Sequence, residues 1–161
     1  MKNRKRQSGL TTVEFAIVAA VLITVIIAII DISRLYFSVA ALNEATRRGA
    51  RVAAVCPVND PAIAQVAVFN VSGETGPSPI VAGLETQHID VEYLDNNGAP
   101  VVDPAGAGFE DIRYLRVRIN GGFQLRTVIP GLPQVISVPD FAATLPRESL
   151  GIPREGVVVP C

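Results

Sequence analysis

The sequence is poor in the groups that carry chemistry. It holds one histidine, His88, and two cysteines, Cys56 and Cys161. Two cysteines are too few for a zinc-finger type of site, and neither has a histidine or second cysteine at ligand spacing, so no metal set is formed. The glycines of GFEDIRYLRVRINGG, residues 108–122, follow neither G-x-G-x-x-G nor the Walker pattern, which leaves phosphate binding by a loop of that kind without support. The stretch DNNG at 95–98 offers oxygen ligands but lacks the spacing and closing glutamate of an EF-hand loop, and reads as a turn. His88 stands two residues from Asp90, yet no nucleophile is identifiable beside them, so His88 reads as an ordinary surface histidine. The expectation is no catalytic residue, no metal and no cofactor: a chain that is not an enzyme.

Other absences are informative in the opposite direction. From Leu10 to Arg48 there is neither proline nor glycine, and from Phe15 to Ile30 there is no charge. Extending that run back to Leu10 gives twenty-one residues in which Glu14 is the only charged side chain. At helical rise they span about 31 Å, the thickness of a bilayer's hydrocarbon core. The mean hydropathy of +0.38 comes largely from this segment. Lys2, Arg4, Lys5 and Arg6 precede it with no acidic residue among them, which keeps the N-terminus cytoplasmic.

The overall charge of −1 hides a split. Residues 1–51 hold eight basic and three acidic groups, whereas 52–161 hold six and twelve. An acidic distal part argues against nucleic acid as partner, because phosphate backbones are bound by clustered Lys and Arg. Cys56 and Cys161 flank that distal part almost completely, and in an oxidising compartment they read as a disulfide clasp.

Past Asp31 an apolar stripe continues at helical spacing through Ile32, Leu35, Tyr36, Val39, Leu42, Ala45, Ala50 and Ala53, with Gly49 as a soft interruption and Pro57 as the stop. This predicts a helix of about 45 residues, half in lipid and half in water. Beyond Pro57 the texture changes to short apolar runs punctuated by Gly and Pro. Residues 62–71 suit a short helix. Residues 88–94, 112–119, 134–138 and 141–149 suit strands, with a hairpin turn at 95–98 and a bulge at the Tyr114–Leu115 doublet. Arg113, Arg116, Arg118 and Arg126 read as a solvated sheet face. The fold class is α+β: a long N-terminal helix with a small antiparallel sheet domain. The expected division is 1–9 leader, 10–55 transmembrane helix and extension, 56–161 distal domain.

Glu14 is then the residue to explain, since a carboxylate in hydrocarbon is costly unless it is paired or neutralised. Gly9 followed by Leu10, with Glu14 five residues after the glycine, is the pattern of a prepilin: a short basic leader ending in Gly, a cut, then an apolar helix with Glu fifth in the trimmed chain. A cut there creates an α-amino group that can act as the counter-charge. Residues 8–55, with the V-E-F-A entry, Asp31 and Arg34 at the end of the span, and Ala45, Arg47, Gly49 and Arg51 beyond it, resemble the TadE-like family of minor pilins or pseudopilins of tight adherence (Tad/Flp) pilus systems. The stretches YLRVRINGGFQLRTVIPGL and FAATLPRE also look like the family's distal strands.

The resemblance implies a pilin-like fold and a role in assembly in place of catalysis. A prepilin peptidase would cut between Gly9 and Leu10. The trimmed protein would wait in the bacterial inner membrane, single-pass, with its distal domain in the periplasm. It would help initiate or assemble the pilus beside other Tad pilins, minor pilins and the inner-membrane assembly platform, with incorporation into an extracellular fibre left open. Glu14 would fix axial register by pairing with a neighbour's α-amino group. Two other readings stay open. One is a signal peptide removed near Val18–Ala20, although the apolar run continues ten residues past that point. The other is an uncleaved single-pass anchor whose periplasmic domain binds a ligand or partner.

Overall fold

The computed structural model describes residues 8–127, 135–137, 139–152 and 160–161. Residues 1–7 of the expected 1–9 leader, part of the expected 134–138 strand and the 153–159 stretch lie outside the described residues. The architecture is α+β, a long N-terminal helix with a small antiparallel sheet domain against its C-terminal half.

Helix α1 runs Ser8–Val55, 48 residues. With no breaker in the way, its backbone bonds are self-contained, and its hydroxyls follow suit: Thr24 Oγ1 donates to the Ala20 carbonyl at 2.8 Å, and Ser33 Oγ to that of Ile29 at 2.8 Å. Such back-bonding lets a hydroxyl sit in an apolar setting without an unmet donor. The Cys56 N–H still continues the helical ladder to Val52, and Pro57 then has no N–H to offer. The carbonyls left over at the end are met from far along the chain. Glu148 and Leu150 N–H donate to Ala54, and Gly151 N–H and Ser149 Oγ to Val55.

Helix α2, Pro61–Ala67, starts where Pro61 pre-sets the backbone and the Asp60 carboxylate accepts the Ala62 N–H at 2.8 Å. The strands are β1 Ile89–Leu94, β2 Tyr114–Ile119, β3 Gln124–Arg126, β4 Val135–Ser137 and β5 Ala142–Pro146. They form a three-stranded antiparallel sheet in the order β1-β2-β5 and a separate β3-β4 ribbon. Registers Tyr93↔Leu115↔Leu145 and Val91↔Val117↔Ala143 place one apolar layer on the inner face, under α1 and α2. Leu115, Val117 and Ile119 are buried there against Leu42, Ala45, Ala50 and Ala53.

The structure corrects two expectations about the strands and their turn. Registers run in single steps through Tyr114 and Leu115 on both sides of β2, so there is no bulge; Tyr114 belongs to the outer face and Leu115 to the core. The 95–98 turn does form, with Asp95 Oδ1 accepting from Asn97 and Ala99 N–H at 2.8 and 2.9 Å, but it returns into a single bridge, Leu94↔Pro100. Pro100 has no N–H with which to extend a ladder, and β1 pairs instead with β2 after a further loop.

Gly49 does not interrupt α1. It marks the closest approach of three elements: a Cβ there would stand 3.0 Å from both Ala67 Cβ on α2 and Val117 Cγ1 on β2. A Gly→Ala change adds about 1 kcal/mol of helix propensity but overpacks at a cost of about 1 to 3 kcal/mol. Gly49→Ala is therefore expected to be mildly destabilising. Gly49→Val, which has little propensity gain and more bulk, should lower stability by about 3 kcal/mol. Melting of the detergent-solubilised chain checks the order, and a Gly49→Val protein as stable as wild type contradicts the close packing.

Candidate functional site

The N-terminal half of α1 has no covering layer among the described residues. From Val13 to Ile30 its large apolar side chains are exposed on every side, with Phe15 the most so at 75%. A helix apolar on every side is a membrane or core helix, and the most apolar window of this one has a mean hydropathy of 3.0 with 6% of it buried. It fits a single-pass membrane anchor. Glu14 is exposed within this surface. The Gly9–Leu10 bond lies in the first turn of α1. Glu14 lies four residues beyond Leu10, a rise of about 6 Å along the helix.

The distal domain first covers α1 at Asp31, which is buried, and continues along Leu35, Leu42, Ala45, Thr46, Ala50 and Ala53. The apolar stripe read from the sequence is thereby split. Ile32, Tyr36 and Val39 sit about 100° further round the helix from the buried row and stay exposed, together with Phe37. The apolar surface of the anchor thus continues for two further turns beyond Ile30 before polar residues replace it.

At the other end of α1, Cys56 and Cys161 are disulfide-bonded with their Cα atoms 5.7 Å apart. Asp60 serves both sides of this junction: Oδ1 caps α2, and Oδ2 accepts the Cys161 N–H at 3.3 Å. Ser72 Oγ donates to the Cys161 carbonyl at 3.0 Å. The end of the chain is therefore held against the base of α1 by one covalent and two polar links.

The remaining residues singled out by the sequence are structural. His88 Nδ1 accepts the Glu85 N–H at 3.0 Å, and its ring meets Phe123 edge-on, while Asp90 pairs instead with Arg118 at 3.5 Å. Arg116 and Arg118 do lie on the outer sheet face, but they engage Glu92 and Asp90 across the strands rather than water alone. Arg113 donates to the carbonyls of Glu110 and Ile112, and Arg126 stands apart on the β3-β4 ribbon. No group of three or more His, Cys, Asp or Glu able to hold a metal occurs among the described residues.

Sequence reasoning missed two features. Asp31 is buried, which its i,i+4 relation to Leu35 on the covered face could have signalled. Tyr93 is buried, and its hydroxyl accepts the Asn59 N–H at 3.0 Å, a contact between segments with no local signature. Burial raises the Tyr93 pKa above the usual 10.0, with the Asn59 bond partly offsetting it. The folded state thus keeps a proton that the unfolded chain releases near pH 10. This contribution to stability is full below that pH and is lost as pH rises through the folded value. Thermal scans between pH 9 and 11 should show wild type losing stability faster than Tyr93→Phe; parallel curves for the two proteins speak against it. Asp95 moves the other way: the Ala99 N–H, with help from Asn97 and Gly98, holds its carboxyl below the usual value, so the 95–99 turn is firmest above that range.

A helix that presents its N-terminal half bare and carries a small disulfide-closed α+β domain on the other half fits a class, the single-pass membrane-anchored proteins. In comparison with known families, residues 9–51 match the family model described as TadE-like protein, so this segment is TadE-like. The match supports a Tad-system, pilus-associated protein, of a family that is structural in character. It stops at Arg51, so the sheet domain lies outside it. No curated protein and no solved structure matches the chain.

Proposed function

We propose that this protein is a minor pilin or pseudopilin that helps initiate or assemble a Tad/Flp-type pilus and is processed after Gly9 by a prepilin peptidase. The observation that carries the reading is the bare apolar surface of α1, which runs from Val13 past the end of the span to Tyr36, Phe37 and Val39. A helix leaves lipid at acceptable cost only if that surface is re-buried against other helices. Other Tad pilins and minor pilins, gathered at an inner-membrane assembly platform, are the partners that supply such helices. In this reading the N-terminus is cytoplasmic, the distal domain periplasmic, and Glu14 pairs with the α-amino group of a neighbouring trimmed chain.

N-terminal sequencing of the protein extracted from membranes tests the reading. A start at Leu10 supports it. Met1 would leave an uncleaved anchor with a partner-binding domain, and a start near Val21 a secreted protein. Immunogold labelling of sheared fibres then separates a subunit of the fibre from a factor that only primes it.

A further inference from the structure

A cleft of about 350 Å³ opens where the span ends, between α1, the turn at Ala82–Gly83 and β3, and Asp31, Arg34, Ser38, Gln124 and Arg126 are among its lining. Its height follows from the helix. Asp31 directly follows Ile30, and Arg34 is one turn further on, about 6 Å beyond the end of the apolar run. The headgroup layer adds about 5 to 7 Å on each side of the hydrocarbon core, so the cleft lies at the level of lipid phosphates.

The charges in the cleft are uneven. The side chains of Arg34 and Arg126 are exposed, and neither guanidinium makes an ion pair or hydrogen bond with a described residue, whereas Arg116, Arg118 and Arg147 all do. Asp31, buried in the wall, is already engaged in an interaction of its own. Ser38 Oγ is turned back to the Arg34 carbonyl at 2.9 Å. Among the described residues, then, the cleft is lined by two guanidiniums without a partner and one carboxylate that has one. Directly across the ribbon from Arg126 stands Val135, 42% exposed, and the next residue, Ile136, is exposed as well. Val135 thus shares the face of Arg126 while Ile136 belongs to that of Leu125, and an apolar side chain beside a cation is the composition of a surface that lies on a bilayer.

We infer that this cleft seats the phosphate of an anionic phospholipid headgroup, held between Arg34 and Arg126, and so fixes the depth of α1 in the membrane. The geometry suits the group: guanidinium forks match phosphate oxygens, and Gln124 adds a neutral donor at the same wall. The inference rests on the single-pass anchor and is independent of processing or pilus assembly.

The test uses the full chain in nanodiscs of phosphatidylcholine, alone or mixed with phosphatidylglycerol. Lipid retention is read by native mass spectrometry, and amide hydrogen exchange is read at 82–84 and 124–126. Wild type should retain phosphatidylglycerol roughly 30-fold better than the Arg34→Gln/Arg126→Gln double variant, the size expected of two basic residues at an anionic surface. Protection at both segments should appear only in the mixed discs and fade with salt. An Arg34→Lys/Arg126→Lys protein should recover most of the retention, which separates loss of charge from loss of folding. Equal retention by wild type and the Gln variant overturns the inference, as does protection that is indifferent to lipid. Displacement of the lipid by inorganic phosphate at matched ionic strength makes the cleft a site for free phosphate and overturns it too. A chain that fails to enter nanodiscs at all sinks the anchor reading with it, whereas a chain that enters but ignores phosphatidylglycerol sinks this inference alone.

Discussion

Replacing Glu14 by Ala is expected to leave membrane insertion and cleavage after Gly9 intact while lowering pilus number by roughly two orders of magnitude. Insertion should improve slightly, since a charge near a spanning helix's start is an expense on transfer into lipid. In the proposed register role assembly should suffer because the substitution strands the neighbour's α-amino group: leaving one member of a buried ion pair alone costs about 3 to 5 kcal/mol. Glu14 is exposed on α1 and pairs with no cation among the described residues. Counting fibres by electron microscopy beside N-terminal sequencing of the same cells separates the two effects. Normal fibre counts with correct processing would rule out the register role of Glu14. A block at processing would move that role to recognition by the peptidase.

The Cys56→Ser/Cys161→Ser double variant should lose about 4 to 5 kcal/mol of stability in the distal domain, because the bridge closes a loop with a sequence separation of 105 residues. For a domain of this size that is a large part of the total. The loss should be seen first at the base of α1. There the 148–151 segment covers the last helical carbonyls, and Asp60 and Ser72 hold Cys161. Denaturant unfolding of the detergent-solubilised chain, with and without reductant, measures it. Equal midpoints in the two conditions would show that the polar links alone hold the tail.

The two effects sit at opposite ends of one helix, and they differ in how far the sequence announced them. The span, its end at Asp31 and the odd placement of Glu14 are written in a contiguous run, since hydrophobic length, flanking charge and the absence of Pro and Gly act locally. The alternation in IDVEYL and YLRVRI was equally legible, because side-chain period along a strand needs no partner to be read. The Tyr114–Leu115 doublet misled because two adjacent apolar residues look alike until the sheet assigns one to each face. The four arginines looked like one solvated face until register gave Arg116 and Arg118 their carboxylates and placed Arg126 on another ribbon.

By itself, then, the amino-acid sequence determined that a long helix, apolar enough in its first half to cross a membrane, runs ahead of a short-stranded domain. Those properties depend on residues within a few turns of one another. Only the tertiary structure decided which side of α1 the domain covers, that Gly49 is a point of contact in place of a weak spot, that β5 returns beside β2, and that Arg34 and Arg126 share a cleft. Each of these depends on segments far apart in the chain, and their meeting is set by how the sheet packs on α1, which no local pattern encodes.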